Sequence, residues 1–193
     1  MVADDWLNTS ELRGPAFADV DAAQRLVLIG AVELAAAVCR IARVCGWLTY
    51  VIDPRPRFAT AERFPDATAV LDAWPQEALA RLEPIDEATA IAALAHDPVL
   101  DDPALMIALR SSAGYVGAMG SRRTQEARRE RLLAAGLTAA ELGRLTGPAG
   151  LDLGTRRREE TALSIVAEIV AARHGRAGGR LGAGAGSIRA AAP

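Results

Sequence analysis

The segment Gly117–Thr124, which reads GAMGSRRT, combines the residue types that bind an anion. Its two glycines let the backbone turn tightly, Ser121 offers a hydroxyl group, and Arg122 and Arg123 carry guanidinium groups. If a helix begins here, its free backbone NH groups and its dipole also favour negative charge. A glycine turn before a basic solvated helix is the alternative, because three more arginines follow between residues 128 and 131. We predict a phosphate site formed by Gly117, Gly120, Ser121, Arg122 and Arg123.

A second polar cluster, Asp53-Pro54-Arg55-Pro56-Arg57, follows an apolar segment. Asp53 stands at the distance from the first glycine turn where an acidic residue of a nucleotide-binding fold contacts ribose hydroxyls. Arg55 and Arg57 add capacity to bind phosphate. We predict that Asp53 and Arg55 contact a ligand, and a solvated turn is the alternative.

A third cluster brings the imidazole of His96 next to the carboxylates of Asp97, Asp101 and Asp102. Such a group could bind a metal or transfer a proton. This cluster contains only one histidine, however, and Asp102 is expected to cap a helix that begins at Pro103. We therefore predict neither a metal site nor a catalytic residue here, and assign His96 and Asp97 to ligand contact. A hydrogen bond from His96 to a carbonyl oxygen is the alternative.

The segment LVLIGAVELA, residues 26–35, passes from an apolar run through Gly30 into a helix-forming sequence. Dinucleotide-binding turns read G-x-G-x-x-G/A, and the first and third positions of that pattern are filled here. Val32 occupies the second position, where the backbone must approach a pyrophosphate. Glu33 either opposes a phosphate at the helix start or satisfies the helix dipole. We place Gly30, Ala31 and Val32 in the ligand crevice and expect this turn to hold a pyrophosphate poorly.

These candidate residues follow strands in a chain where predicted strands and helices alternate. The alternation predicts an α/β protein of the Rossmann type, with a doubly wound, mostly parallel sheet in three layers. In such sheets ligands bind beyond the carboxyl ends of the strands, which is where the candidates stand. The predicted strands are 25–30, 47–53, 68–71, 88–95 and 115–120. The predicted helices are 33–45, one within 75–82, one from Pro103, one that Ser121 caps and that runs to about Ala135, one from the capping box at Thr138, and 158–173.

Helical spacing also predicts which side chains enter the core. On the helix over 33–45 these are Leu34, Val38, Ile41 and Val44, and on the helix over 158–173 they are Leu163, Val166, Ile169 and Val170. Cys39 and Cys45 are predicted to be buried free thiols, which suits a reducing cytoplasm.

Composition divides the chain into three segments and excludes several function classes. Residues 1–22 are predicted to be a polar lead-in, 23–174 the Rossmann domain, and 175–193 a disordered Gly/Ala tail. The formal net charge is only −2, so nothing indicates binding to nucleic acid. No signal peptide is recognised, and charged residues interrupt the longest apolar stretch, so we expect no membrane span and a cytoplasmic protein.

Four stretches, taken in order, resemble the C-terminal Rossmann domain of the XdhC family, accessory factors of xanthine dehydrogenase. They are VIDPRPRFATAERFPDA (51–67), HDPVLDDPAL (96–105), YVGAMGSRRT (115–124) and GPAGLDLGTRRREETALSIVAEI (147–169). The resemblance implies a non-catalytic accessory factor that binds a molybdopterin-type molybdenum cofactor, including its dinucleotide form. It also implies delivery to a molybdenum hydroxylase apo-enzyme. Three features differ from the family pattern: no N-terminal Cys-containing domain is recognised, Val32 replaces a glycine, and Ala95 replaces a threonine.

Those differences imply that the chain works with a separate N-terminal XdhC-type protein or a cysteine desulfurase, and a homodimer is a further expectation. Two other functions stay open. An NAD(P)-binding oxidoreductase would need the complete glycine turn and an acid such as Tyr115 or His96. A ligand-free partner subunit of a split XdhC-like system would explain Val32, Glu33 and Ala95.

Overall fold

Short apolar segments form a six-stranded parallel sheet in the computed structural model, which describes residues 24–82 and 84–183. The strand order is β3-β2-β1-β4-β5-β6, with β1 and β4 paired at the centre. The strands are β1 (Arg25–Ile29), β2 (Leu48–Ile52), β3 (Ala69–Leu71), β4 (Thr89–Ala93), β5 (Tyr115–Ala118) and β6 (Leu145–Thr146). The two-residue β6 was not predicted, because so short a strand has no recognisable period.

Helices cover both faces of the sheet. They are α1 (Glu33–Val44), α2 (Pro75–Arg81), α3 (Pro98–Arg110), α4 (Arg122–Ala134), α5 (Ala139–Leu142) and α6 (Arg158–Arg173). Alternate residues of a strand point to opposite faces. Leu26 and Leu28 of β1 therefore pack in the core with α1 and α6, whereas Val27 and Ile29 pack in the core with α2 to α5. The predicted three-layer, doubly wound α/β fold is confirmed.

The predicted starts of α4 and α5 are confirmed, and the predicted start of α3 is wrong. Ser121 caps α4 through its hydroxyl, which accepts from the backbone NH of Thr124, and a capping box at Thr138 opens α5. The predicted helix start at Asp102 is wrong, because α3 already begins at Pro98 with Asp97 as its cap. Asp102 and the following proline therefore lie inside the helix.

Four predictions of burial are also wrong. Alanines carry much of the buried side of α1, and α1 packs directly against α6, so a pattern read from large apolar residues selected part of the outer side. Burial raises the pKa of the Cys39 thiol to about 11, in keeping with its predicted burial, whereas Cys45 at the C-terminal end of α1 is exposed. The other three residues that were predicted to be buried but are exposed are Val44 (87%), Leu163 (50%) and Val170 (38%).

The predicted lead-in over 1–22 lies outside the described residues, as do residues 184–193 of the predicted tail. The described part of the tail, 175–183, is exposed and contains a short 3₁₀ turn at Leu181–Ala183. The segment boundaries stay predictions. Within the described ranges, no helix is both long and apolar enough to cross a membrane.

Candidate functional site

The centre of the carboxyl edge, where β1 and β4 end side by side, is the topological switch point of the sheet. The chain leaves β1 for α1 on one face and leaves β4 for α3 on the other. Gly30 has a φ of +105°, and a Cβ on it would lie 2.8 Å from the backbone nitrogen of Ala95. Only glycine fits this close approach, so the predicted crevice begins at a point where the ends of β1 and β4 nearly touch.

His96 follows directly, and its backbone is left-handed, with a φ of +59°. Its side chain is exposed at the end of β4. The next residue, Asp97, uses its Oδ1 to accept from the backbone NH of Val99, 3.0 Å away, and so starts α3. A histidine held in a conformation that disfavours side chains, and facing solvent at the switch point, is a candidate ligand contact.

This backbone conformation yields a testable prediction for His96. We expect His96→Gly to be at least as stable as the wild type and His96→Ala to be about 1 kcal/mol less stable than the glycine variant, because alanine is strained at positive φ. Urea unfolding of the three proteins measures the difference. Equal stability of the two variants would show that the backbone at residue 96 is not held in this conformation.

The first turn, Gly30-Ala31-Val32, is covered by the side chain of Arg63, which also pairs with Glu33 at the start of α1. Val32 is the N-cap residue of α1 and supplies no side-chain hydrogen bond. Arg63 donates from Nη1 to the carbonyl oxygen of Ala31 at 3.1 Å and from Nη2 to Glu33 Oε1 at 2.8 Å. The hydrogen bond and charge of Arg63 lower the pKa of Glu33, so a carboxylate occupies the helix start where a phosphate would otherwise bind.

Asp53, at the end of β2, connects two loops of the carboxyl edge. Its side chain is fully buried, and its oxygens accept from the backbone NH of Ala31 at 2.8 Å and from the backbone NH of Arg55 at 3.0 Å. The Arg55 guanidinium adds bonds of 2.8 and 2.7 Å. Burial raises the pKa of Asp53, but these bonds outweigh it and the pKa is lowered overall. Four donors fill the carboxylate, so this geometry leaves no acceptor position for a ribose hydroxyl.

The turn between β5 and α4 differs from the first one, because the helix that follows it begins with two arginines, whereas α1 begins with Glu33. Within the described part of the chain, the backbone NH groups of residues 120–123 donate to no protein acceptor. Gly120 has a φ of +135°, and the side chains of Arg122 and Arg123 are exposed. Four NH groups at a helix start, flanked by two guanidinium groups, can bind a phosphate. We call residues 119–123 the α4 turn.

Gly117 lies inside β5, two residues before the α4 turn. A Cβ there would come within 2.4 Å of the Tyr115 hydroxyl oxygen, so the glycine makes room for the tyrosine ring. That hydroxyl donates to Glu168 Oε2 at 2.6 Å. Packing in the sheet therefore accounts for Gly117 without a ligand.

A buried polar network that was not predicted lies beneath the α4 turn. Gln125 Nε2 donates to the carbonyl oxygen of Ala118 at 2.9 Å. Arg128 donates from Nη1 to the carbonyl oxygen of Met119 at 3.1 Å and to Gln125 Oε1 at 2.7 Å. Its Nη2 pairs with Asp101 Oδ2 at 3.1 Å. We name Asp101, Gln125 and Arg128 the buried network.

The buried network shows that α4 is not simply a basic solvated helix. Arg128 is 2% exposed and Asp101 is 1% exposed. Burial raises the pKa of Asp101 to about 6, against the opposing effect of the Arg128 charge, so the carboxyl is still ionised at neutral pH. One turn further along, Arg131 forms a half-exposed pair with Asp102 at 2.6 Å. The only sequence signal for the buried pair is an acidic and a basic residue on two helices that later prove adjacent.

A cavity of about 650 Å³ lies at the opposite, amino edge of the sheet. None of the residues predicted for the site lines it. Its lining comes mainly from segments that precede strands and includes Gln24, Glu87, Ser112, Tyr115, Arg144 and Arg173. The Arg144 guanidinium is committed to the carbonyl oxygens of Leu109, Ser111 and Ala113, so it closes the C-terminal end of α3.

Comparison with known proteins finds relatives that are named for xanthine dehydrogenase and for insertion of the molybdenum cofactor. A probable xanthine dehydrogenase subunit of Bacillus subtilis is 29% identical over 149 residues, which is 77% of this chain and 43% of that protein. The molybdenum cofactor insertion chaperone PaoD of Escherichia coli is 28% identical over 149 residues, or 77% of this chain and 40% of its own. The chain therefore spans less than half the length of these relatives.

A solved structure and a family model agree with this result. A crystal structure described as a xanthine dehydrogenase from Bacillus halodurans superposes with a TM-score of 0.68 at 28% identity, covering 80% of this chain and 44% of that one. The family model of the XdhC Rossmann domain matches residues 26–169, from β1 to the core of α6. The chain thus belongs to the XdhC family, through the Rossmann domain that forms most of its length.

Proposed function

We propose that this domain binds a molybdopterin-type molybdenum cofactor at the carboxyl edge of its sheet and acts in the maturation of molybdenum hydroxylases of the xanthine dehydrogenase type. The observation that carries the proposal is the α4 turn, with two exposed arginines and four backbone NH groups that donate to no acceptor among the described residues. The molybdopterin-type cofactor carries a phosphate, which is the group such a turn binds.

The fit of the phosphate differs between the two glycine turns of this edge. At the first turn, Val32 brings a side chain to the N-cap position and Glu33 brings a carboxylate to the first turn of the helix, while four donors fill the acceptor positions of Asp53. At the α4 turn, a Cβ on Gly120 would lie 3.0 Å from the Thr124 methyl group, so a side chain would crowd this helix start. This difference supports placing the phosphate at the α4 turn, where residues 120–123 would hold it.

The relatives support the role as well as the ligand. A molybdenum cofactor insertion chaperone and a probable xanthine dehydrogenase subunit both share this domain with the chain. We propose the apo-hydroxylase as the partner that receives the cofactor, and a separate N-terminal XdhC-type protein or a cysteine desulfurase as a second partner. Within this role the domain binds and orients the cofactor and carries no catalytic residue, while redox chemistry belongs to the molybdenum once it is inserted. We also expect the protein to be cytoplasmic and to form a homodimer.

The binding prediction concerns the two exposed arginines. We expect Arg122→Ala and Arg123→Ala each to weaken binding of the molybdopterin-type cofactor by about 1.5–3 kcal/mol, the contribution of a hydrogen bond to a charged group. Calorimetric titration of each variant measures the loss. Arg129→Ala, an exposed arginine on the same helix two turns away, is the matched control and should bind as the wild type does.

The same titration with NAD and NADP separates the remaining functions. Binding of the pterin alone supports the accessory role, and binding of NAD or NADP instead would support an oxidoreductase. Binding of none would favour a ligand-free partner subunit, an alternative that the covered first turn supports. Unchanged affinity in both arginine variants would contradict the assignment of the phosphate to the α4 turn.

A further inference from the structure

We propose that Arg128 is the positioning residue of the α4 turn, and that it keeps one backbone NH group of that turn aimed at the ligand. The inference rests on the proposed function, because it concerns the turn assigned to the phosphate. It adds a residue that has no direct contact with the ligand to the binding machinery. The argument depends on the geometry of a single peptide unit, the one that joins Met119 to Gly120.

A peptide unit is planar and trans, so its carbonyl oxygen and its NH hydrogen point in opposite directions. Arg128 Nη1 holds the carbonyl oxygen of Met119 at 3.1 Å from below the turn. The NH of Gly120 must then point the other way, out of the protein body. Gly120 has no side chain and a φ of +135°, so it does not itself fix the orientation of this peptide unit.

The remaining members of the buried network fix Arg128 itself. Gln125 Oε1 accepts from Nη1 at 2.7 Å, and Asp101 Oδ2 accepts from Nη2 at 3.1 Å. Gln125 also holds the carbonyl oxygen of Ala118, so two successive carbonyl groups at the end of β5 have buried donors. A peptide flip at Gly120 would break the bond to Arg128 and turn the NH away from the ligand.

The buried ion pair between Asp101 and Arg128 contributes little to the stability of the core. Within the described residues, Asp101 Oδ1 and Arg128 Nε are buried with no hydrogen-bond partner. A protein with such a pair, in which buried polar atoms lack partners, is often less stable than the same protein with apolar side chains of similar volume at those positions. A planar guanidinium that spans a carbonyl, an amide and a carboxylate is, however, a rigid support, which is what positioning requires.

The test uses the double variant Asp101→Leu/Arg128→Met, which removes both buried charges together and so avoids an unpaired one. Its matched control is Asp102→Leu/Arg131→Met, the neighbouring pair between the same two helices. Circular dichroism and urea unfolding establish that both are folded. The readouts are calorimetric titration with inorganic pyrophosphate and hydrogen exchange of the Gly120 amide by NMR.

We expect the Asp101/Arg128 double variant to bind pyrophosphate about tenfold more weakly, as it should if the turn adopts its competent orientation only about one time in ten. Its Gly120 amide should change in chemical shift and exchange rate, whereas the control should match the wild type in both readouts. Arg128→Lys, which keeps a donor for Met119, should retain more of the affinity than the double variant does.

Two results would overturn the inference. One is a folded double variant that binds pyrophosphate within twofold of the wild type, and the other is a Gly120 amide that is unaffected by the substitutions. If the wild type binds neither pyrophosphate nor the molybdopterin-type cofactor, the proposed function fails. In that case the Gly120 amide of the free protein still decides whether Arg128 orients the turn.

Discussion

Replacing Arg128 with alanine should lower the free energy of unfolding by about 3–5 kcal/mol, a larger loss than we expect from any surface substitution in this chain. The substitution leaves Asp101, which is 1% exposed, as an unpaired buried carboxylate. It also removes the donors that serve the carbonyl oxygen of Met119 and the amide oxygen of Gln125. Urea unfolding followed by circular dichroism measures the loss.

Two controls separate the lost pairing from a general effect of losing an arginine. Arg131→Ala breaks the half-exposed pair with Asp102 on the same two helices, and should cost less than about 1 kcal/mol. Asp101→Leu/Arg128→Met should recover at least half of the loss, because no buried charge remains unpaired. If Arg128→Ala were no more costly than Arg131→Ala, the pairing described for the buried network would be incorrect.

Gly30→Ala should lower the free energy of unfolding by about 2–5 kcal/mol, from a strained backbone and an overpacked contact acting together. The new Cβ would be 2.8 Å from the Cα, Cβ and nitrogen atoms of Ala95, and backbone atoms cannot move aside cheaply. The φ of +105° adds strain for any residue with a side chain. Thermal and urea unfolding measure the loss.

Gly46→Ala is the matched control for that prediction. Gly46 also has a positive φ, +75°, but a Cβ there would meet no atom of residues 24–82 and 84–183 within 4 Å. Its substitution should therefore cost only about 1 kcal/mol, the contribution of backbone conformation alone. Equal losses at the two positions would mean that the ends of β1 and β4 are less closely packed than described.

The elements that the sequence predicts well are those with signals inside the element itself. The apolar run that ends at Gly30, the cap at Ser121 and the capping box at Thr138 all depend on residues a few positions apart. The start of α3 is different, because Asp97-Pro98 and Asp102-Pro103 carry the same signal five residues apart. Because α3 begins at Pro98, Leu100 is buried and Asp101 pairs with Arg128 of α4, a helix that begins more than twenty residues further along the chain.

In the candidate site, too, the predictable features have local sequence signals, and the others depend on residues that are distant along the chain. The α4 turn could be predicted as a candidate phosphate site because its glycine, hydroxyl and arginines are consecutive. The burial of Arg128 could not, since its three partners come from α3, α4 and the end of β5, and a run of arginines normally indicates a solvated surface. Asp53 was placed at the correct strand end, but its four donors come from two loops whose proximity only the folded sheet provides.

The central position of β1 has a consequence for the order in which the chain folds. Arg25 of β1 pairs with Leu48 on one side and with Thr89 on the other, so one neighbour is close along the chain and the other is more than sixty residues away. Closing the longer loop costs more entropy, and topologies rich in such distant pairings fold slowly. During synthesis, the β1–α1–β2 unit leaves the ribosome with one side of β1 unpaired. An open strand edge can pair with other chains, and β4 covers this one when it arrives.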